Sequence, residues 1–329
     1  MQVTSAQDPD FENLMGFQSA LLRNLRLPAI AAPMFLVSGP EMVIAACKSG
    51  IIGSFPTPNA RTPEILDQWM EQIVTALASD LAAAIWAANL VVHPSNERLP
   101  ADLACVLRHR PPLVITALGS PTRVIEAVHG YGGQVFADVN SVAFARKAAA
   151  AGVDGLVLVA SGAGGHTGAT AGFAFVEEVR QFWDGPIVLG GAISTGHAIR
   201  AAEILGADLA YLGTALIACD ESFADSAYKE MVVSAGAEDI VPSRGITGVT
   251  ANWLRASLIA AGHDPANMPE DKKPNFESAQ DDAKAWKNVW SAGQGVGSVR
   301  ERAPLAEIIT RLSREYHDAV NRPAFAAKE

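Results

Sequence analysis

The sequence predicts an α/β fold, a (β/α)8 TIM barrel with a smaller helical domain inserted after the eighth strand. Eight short apolar runs rich in β-forming residues recur along the chain, and stretches with helical periodicity separate them. Strands that alternate with helices indicate a parallel sheet, and eight such units close a barrel. After Thr214 this alternation stops and the chain becomes helical and more charged. We therefore predict a barrel of residues 1–214 and 285–329, and a small helical substrate-side domain of residues 215–284.

The elements of the predicted barrel follow one another in a regular order. Helix starts are marked by Pro or Ser and several helix ends by Gly. The third run, residues 83–90, is also compatible with a helix because it is rich in Ala. The predicted strands are 29–34, 50–55, 83–90, 112–118, 134–139, 155–160, 186–191 and 208–214, and the predicted helices are 40–50, 63–78, 121–130, 141–152 and 196–206.

Two further segments complete the chain after the eighth strand. Residues 263–282 are rich in Pro, Asp and Lys, which is typical of a solvated connector. Near the C-terminus, Leu305, Ile308, Ile309 and Leu312 recur at a spacing of three to four residues. This spacing predicts an amphipathic helix that packs back against the barrel.

Composition narrows the class of protein. Of 329 residues, 49% are hydrophobic, and 25 Lys and Arg stand against 35 Asp and Glu, a net charge of −10. With no basic stripe, nucleic acid is not an expected partner. No apolar run reaches the ~18 residues of a membrane span, and the first ten residues are not a signal peptide. Three cysteines, Cys47, Cys105 and Cys219, lie in apolar runs and predict free buried thiols. We therefore expect a soluble cytoplasmic protein.

The last two strands of the predicted barrel end in glycine. Gly190-Gly191 follows the seventh strand and Gly213-Thr214 follows the eighth, each just before a helix. In this fold the corresponding loops bind phosphate through backbone N–H groups and a helix N-terminus. The alternative interpretation is that these glycines only permit tight turns. Two such ends on neighbouring strands favour the phosphate site.

Polar residues end the third and fifth strands. The Asn89 amide both donates and accepts hydrogen bonds and so suits a planar heterocycle, or else it is a satisfied turn residue. For Asp138 we favour capping of the next helix together with Ser141, and we retain it as a candidate cofactor-binding residue.

One histidine, His166, lies in the Gly-rich segment 161-SGAGGHTG-168 after the sixth strand. An imidazole that titrates near neutrality can accept or donate a proton, or hold an anion. Its neighbours Gly164, Gly165 and Gly168 are small and would let a planar ligand approach. Catalysis is the interpretation that we favour, and a helix cap is the alternative. No HExxH or GxSxG motif is present, so neither a zinc site nor a serine hydrolase is predicted.

These segments, together with 186-PIVLGGAISTGHAIRAAEILGADLAYLGTALIACDES-222 and 290-WSAGQGVG-297, resemble the nitronate monooxygenase family, formerly called 2-nitropropane dioxygenases. The similarity extends from about Ala29 to about Arg311. It implies an FMN-dependent barrel with a smaller helical domain, in which His166 is the active-site histidine. The resemblance further implies that Pro33, Met34, Phe35, Asn89 and Ala163 contact the flavin, that Gly190, Gly191, Leu212, Gly213 and Thr214 hold its phosphate, and that Gln294 lies near the ring or the substrate pocket.

The resemblance also implies a reaction, the FMN-dependent oxidation of alkyl nitronates by O2 to a carbonyl compound and nitrite. Alternatives are an NADH:quinone oxidoreductase or an enoyl-acyl-carrier-protein reductase of the same superfamily, or a non-redox barrel that binds a phosphorylated ligand. The expected partners are a nitronate or nitroalkane and O2, with NAD(P)H and a homodimer as further candidates. The chain departs from the family pattern at Ala192, at Leu212 and at Ala137-Asp138, where some relatives carry a Lys or a His-Asp pair.

Overall fold

The computed structural model describes residues 22–269 and 288–323. Within them, eight parallel strands form the sheet in the spatial order β1-β9-β8-β6-β5-β4-β3-β2. The two end strands meet through a parallel bridge between Ile30 and Ile52, which closes the sheet into a barrel. The barrel strands are β1 (Ala29–Ala31), β2 (Gly53–Pro56), β3 (Trp86–Val91), β4 (Leu113–Ala117), β5 (Gln134–Val139), β6 (Gly155–Val159), β8 (Ile187–Gly190) and β9 (Leu209–Leu212). The predicted barrel is confirmed, and its third run is a strand.

Helices cover the outside of the barrel at the predicted places. The predicted helix 121–130 is less regular than expected, because Val124 at φ −129° separates a 3-10 turn from a short α-helix. The helices between the strands are Pro40–Lys48, Pro63–Leu77, Leu99–His109, Ile125–His129, Val142–Ala150, Gly172–Arg180 and Gly196–Leu205, with 3-10 turns at Thr57–Asn59 and Pro121–Arg123.

Side-chain caps define where three of these helices begin. The Thr62 hydroxyl accepts a hydrogen bond from the Ile65 N–H, Ser141 accepts one from Phe144, and Thr195 accepts one from Ala198. Each cap satisfies a backbone donor that the first helical turn leaves without a partner, which is worth about 1 kcal/mol. The Ser or Thr before each apolar helix is therefore the residue that sets its first turn.

The barrel has a packed interior that is separate from the layer between strands and helices. Side chains two residues apart on a strand point to the same side, so Asp138 follows Phe136 on the inner face of β5 and Tyr211 follows Leu209 on that of β9. These two polar residues lie at the carboxyl ends of their strands. The inner apolar cluster consists of Ile30, Ile52, Ala87, Leu113, Ile115, Phe136, Val157, Val188 and Leu209, with Tyr211 against it.

The C-terminal helix, Leu305–Val320, packs on the helix Gly196–Leu205 as predicted. Its four apolar positions named above are buried. Close approach depends on Gly196, because a Cβ there would overlap the backbone of the C-terminal helix. In addition, Glu315 Oε2 accepts a hydrogen bond of 2.8 Å from the Gly196 N–H, so one helix caps the other.

The segment after Thr214 contains strands as well as the predicted helices. Its described residues form the helices Thr214–Ile217, Ser226–Ser234 and Arg255–Ala260, a 3-10 turn at Ala237–Asp239, and the strands β10 (Ile240–Ser243) and β11 (Ala251–Leu254). The prediction that this segment is helical was wrong at β10 and β11. Strands of four residues carry too little periodicity to be recognised in the sequence. They are stabilised by pairing with each other and, through β11, with the short strand β7 (Gly165–His166).

Other expectations about the chain have mixed outcomes. Cys47, Cys105 and Cys219 are buried and free, as predicted. Residues 270–287 lie outside the described residues, and with them most of the predicted connector. The division into a barrel and a substrate-side domain stays a prediction. Among the helices in the described ranges, none has the length and apolar character that crossing a membrane requires.

Candidate active site

His166 is part of a small antiparallel sheet that lies beyond the end of β6. In this sheet His166 pairs with Ala251 and Gly165 pairs with Asn252. The Thr167 N–H extends the pairing by donating to the Thr250 carbonyl at 3.1 Å. A residue predicted to lie in an open loop is therefore held as a strand by a hairpin about 85 residues further along the chain.

Asn252 connects this hairpin to the loop before His166. Its side chain is 2% exposed, and its Nδ2 donates a hydrogen bond of 2.7 Å to the Ala163 carbonyl. The backbone of Asn252 pairs with Gly165 on the same strand. Asn252 thus fixes both sides of Gly164, and nothing in the sequence around it indicated this role.

Replacing Asn252 by Ala tests its positioning role. The Ala163 carbonyl would lose its buried donor, at a cost of about 1–3 kcal/mol. We expect a lower melting temperature and a turnover that falls more than the affinity for substrate, because His166 loses its fixed position. Thermal denaturation and steady-state kinetics measure both effects. The exposed Asn267→Ala variant is the control, and equal kinetics in the two variants would contradict the role of Asn252.

The protonation state of His166 follows from its surroundings. Burial lowers the pKa of its imidazole below the ordinary 6.5, because enclosure disfavours the charged form. The side chain is therefore neutral at pH 7 and suited to accept a proton.

The glycines around His166 have a packing role that the sequence did not indicate. A Cβ at Gly164 would lie 2.8 Å from the Gly293 nitrogen, and a Cβ at Gly168 would overlap the carbonyl oxygen of Val159. These two glycines therefore allow close contact between backbone segments, and their role in letting a ligand approach stays a prediction. Gly165 has φ +67°, a conformation that glycine adopts without strain.

Three distant segments meet at the Gly162 carbonyl. It accepts a hydrogen bond of 2.9 Å from the Gln294 N–H and one of 3.3 Å from the Ala192 N–H. The Gln294 side chain is close as well, with Oε1 2.9 Å from where a Cβ of Gly162 would lie. The structure thus brings the His166 loop, the loop after β8 and the 3-10 turn Gln294–Ser298 together. This contact places Gln294 beside the other predicted site residues.

The predicted phosphate loops are uncrowded at Gly213 and restricted at Leu212 and Thr214. A Cβ at Gly213 would have ordinary contact with Met34 Sδ at 3.6 Å, so this position is not crowded by the protein. Thr214 Oγ1 already accepts a hydrogen bond of 2.8 Å from Gly293, which leaves its O–H to donate elsewhere. The Leu212 side chain packs in the core outside the barrel, so only its backbone can face a ligand.

The turn after β8 contains backbone conformations that favour glycine. Gly191 has φ +130°, and Ala192, an exposed residue with a side chain, has φ +59°. Such a conformation costs a non-glycine residue about 1–2 kcal/mol. Strained positions of this kind occur preferentially at ligand sites, which is consistent with a binding role for this turn.

The loop after β1 is fixed by Asn59, which sequence reasoning missed. Asn59 Nδ2 donates to the carbonyls of Met34 at 3.0 Å and Ser38 at 2.7 Å, and its Oδ1 accepts from the Leu36 N–H at 2.8 Å. This network holds the segment that contains Pro33, Met34 and Phe35, all of them part-buried. Asn59 lies in a 3-10 turn after β2, and only the folded barrel brings it next to β1.

Asn89 and Asp138, near the ends of β3 and β5, differ in their hydrogen bonding. Asn89 is 5% exposed and its Nδ2 donates to the Ile115 carbonyl at 3.1 Å. Asp138 does not cap the next helix, because Ser141 does so alone, and the favoured interpretation of Asp138 was wrong. Instead, Asp138 Oδ1 and Tyr211 Oη are buried atoms that find no hydrogen-bond partner in the described part of the protein. Burial raises the pKa of Asp138 to about 7, and the neighbouring Tyr211 hydroxyl opposes this rise only in part.

A metal site and a second cleft are further candidates for a functional site. Among residues 22–269 and 288–323, no group of three or more His, Cys, Asp or Glu side chains is arranged to hold a metal ion. A cleft of about 340 Å³ lies at the amino end of the barrel, where Arg26, Lys48 and Gly50 contribute to its walls. Active sites of this fold lie at the opposite, carboxyl end, so we do not assign a role to the cleft.

The carboxyl end of the barrel combines a part-buried imidazole with a lowered pKa, glycine-rich turns after the last two strands, and two buried polar atoms without a partner among the described residues. This arrangement is typical of an α/β-barrel enzyme. The model of a family described as nitronate monooxygenase matches residues 19–315. The chain belongs to this family and is an oxidoreductase of the flavin-dependent barrel type.

Individual relatives agree with the family match. A nitronate monooxygenase of Paraburkholderia phytofirmans is 27% identical over 89% of this chain and 93% of its own length. A nitroalkane oxidase from Streptomyces ansochromogenes superposes with a TM-score of 0.78 at 23% identity, over 92% of this chain and 99% of that one. FabK from Thermotoga maritima gives a TM-score of 0.75 at 22% identity, over 92% and 96%. At these identities the two solved structures show the fold.

Proposed function

We propose that this protein binds FMN and oxidises alkyl nitronates, and the nitroalkanes that yield them, with O2 to a carbonyl compound and nitrite. The observation that carries the proposal is His166, a histidine kept neutral by burial at the carboxyl end of a barrel of this family. When bound, FMN would supply the transfer of electrons from the nitronate to oxygen.

The residues at the carboxyl end fit a flavin. Its planar ring needs apolar walls and a few polar groups. Met34, Phe35 and Ala163 can supply the first, and Asn89 and Asp138 the second. Asp138 Oδ1 and Tyr211 Oη are buried and find no partner among residues 22–269 and 288–323. A ring bearing carbonyl and N–H groups would satisfy both atoms.

The phosphate would be held at the turns after β8 and β9. Gly190, Gly191 and Gly213 can present backbone N–H groups there, with Leu212 contributing through its backbone. The Thr214 hydroxyl retains a proton to donate. Gln294, held against the Gly162 loop, would close the site on the side of the C-terminal turn.

His166 would act on the substrate through its proton. A neutral imidazole can accept the Cα proton of a nitroalkane and then, as a cation, hold the resulting nitronate anion beside it. A nitronate offered directly needs no proton abstraction and requires only the second of these roles. Partial enclosure of the imidazole keeps its pKa low and its basic form available.

The purified protein tests the proposal through its colour and its oxygen consumption. We expect a yellow protein that releases FMN on denaturation, and oxygen uptake with propyl-3-nitronate that yields nitrite stoichiometrically. Rapid oxidation of NADH with a quinone or an enoyl thioester, without activity on nitronates, would assign the chain to a reductase instead. A colourless protein that binds no flavin would contradict the proposal altogether.

A further inference from the structure

The strongest feature that the proposed reaction leaves unused is a polar pair inside the barrel. Asp138 on β5 and Tyr211 on β9 both extend the inner cluster by one layer towards the carboxyl end. Tyr211 is accommodated because Gly190, on the neighbouring strand, has no side chain, and a Cβ there would approach Tyr211 to 3.2 Å. The Tyr211 hydroxyl is close enough to Asp138 for each to act on the pKa of the other, so the two side chains form an inner floor on which a ligand would rest.

The hydrogen bonding of this pair is incomplete. Buried polar atoms in proteins are paired with few exceptions, and each exception needs a physical reason. Of the three buried side-chain atoms without a partner in the described residues, Gln134 Oε1 lies at the amino end of β5. Asp138 Oδ1 and Tyr211 Oη lie at the carboxyl end, where this family of barrels binds its ligand. A ligand that satisfies these two atoms is therefore the expected reason for them.

Of the two side chains in the pair, only Asp138 changes its charge near neutral pH. Burial and the adjacent Asp138 raise the pKa of Tyr211 well above 10, so the phenol stays neutral. Burial raises the pKa of Asp138 to about 7, and among the described residues Tyr211 is the titratable side chain that acts on it. In the part of the chain that the structure describes, no Lys, Arg or His contributes to the pKa of Asp138, and the Tyr211 hydroxyl is the group that favours its charged form.

We propose that Asp138 and Tyr211 form a proton-holding pair beneath the flavin, in which Asp138 meets the flavin as a neutral acid and the Tyr211 hydroxyl lies beside it. This inference rests on the proposed function, because it takes the ligand of the site to be a flavin. A flavin over the pair would exclude water from Asp138 and further disfavour its charge. Binding therefore takes up a proton whenever the free protein carries Asp138 as a carboxylate.

The sign of the resulting pH dependence follows from linkage. Below about pH 7 Asp138 is already protonated in the free protein. Flavin binding then takes up no proton, so the dissociation constant does not change with pH. Above that pH each binding event requires a proton, so the dissociation constant rises, approaching about tenfold per pH unit. The flavin is thus released more readily from alkaline solution.

The experiment is a titration of flavin-depleted protein with riboflavin between pH 5.5 and 9, followed by flavin fluorescence. Riboflavin is the first probe because it lacks the phosphate of FMN, whose own ionisation falls in this range; FMN is the second. We expect the wild-type dissociation constant to rise with pH as stated, and that of Asp138→Asn to stay flat. The exposed Asp184→Asn variant is the matched control and keeps the wild-type dependence.

A second variant keeps the test valid if Asp138→Asn does not fold. Tyr211→Phe removes a hydroxyl that lowers the pKa of Asp138, so we expect its pH transition to move upward. Calorimetric titration in buffers of different ionisation enthalpy counts the protons taken up, and we expect between none and one, with the larger value above pH 7. Far-UV circular dichroism establishes that each variant is folded.

Failure of the inference and failure of the proposed function give different results. Equal pH dependence in wild type and Asp138→Asn, or a downward shift in Tyr211→Phe, overturns the role of the pair while flavin binding stands. An absence of flavin binding at every pH overturns the proposed function and the pair with it.

Discussion

The His166→Asn variant is expected to lose nitroalkane turnover by about 100-fold or more, the low end of general acid–base effects, while FMN stays bound. Asparagine is close to histidine in size but cannot accept the Cα proton. In the wild type, turnover should be lost as the pH falls through the lowered pKa of His166, since only the neutral imidazole is a base. Turnover is measured by oxygen uptake with nitroethane, and bound FMN by its visible absorbance.

Two controls separate this role from general damage. The exposed His317→Asn variant removes an imidazole far along the C-terminal helix and should retain wild-type turnover. Preformed nitronate, which needs no base, should be less affected than nitroethane by His166→Asn. Undiminished turnover of nitroethane in that variant would refute the role of His166 as a base.

Gly164→Ala is expected to destabilise the protein by about 1–3 kcal/mol, a typical cost of overpacking. The new methyl group would lie 2.8 Å from the Gly293 nitrogen and 3.0 Å from the Ala292 carbonyl carbon, both of them backbone atoms. Moving the His166 loop away from this turn would also stretch the bond between Gly162 and Gln294. We therefore expect weaker FMN binding together with a lower free energy of unfolding, measured by fluorescence titration and urea denaturation.

Gly132→Ala supplies the comparison for Gly164→Ala. Gly132 has φ +82° and a Cβ there meets no atom within 4 Å, so the change introduces backbone strain without a clash. It should lower stability by about 1–2 kcal/mol and leave FMN affinity unaltered. If both variants bound FMN as the wild type does, the contact at Gly164 would have no bearing on the site.

The barrel was predictable because its signals are local. Each strand is a short apolar run, and caps such as Thr62 and Ser141 mark helix starts within a few residues. The loops at strand ends were predictable as well, since parallel strands place their carboxyl ends on one side. His166, Gly191 and Gly213 could be selected in this way without any knowledge of their contacts.

The hairpin β10–β11 was not predictable by the same reasoning. Its strands are four residues long, and their stability comes from a partner strand at Gly165–His166. Asn59 and Asn252 were missed for a related reason: each donates its amide to a carbonyl more than 20 residues away. No periodicity within a local window reports such a contact.

By itself the sequence determined the barrel and selected its carboxyl end and the histidine there as candidates, because strand, helix and turn preferences act over a few residues. Only the tertiary structure decided that His166 is strand-bound and neutral, that Gly164 and Gly168 serve backbone packing, and that Asp138 faces Tyr211 instead of capping a helix. Burial and hydrogen-bond partners set these properties, and both arise from segments that are far apart in the chain. A residue's type indicates what chemistry it can do, and its enclosure in the folded protein decides in which protonation state it does it.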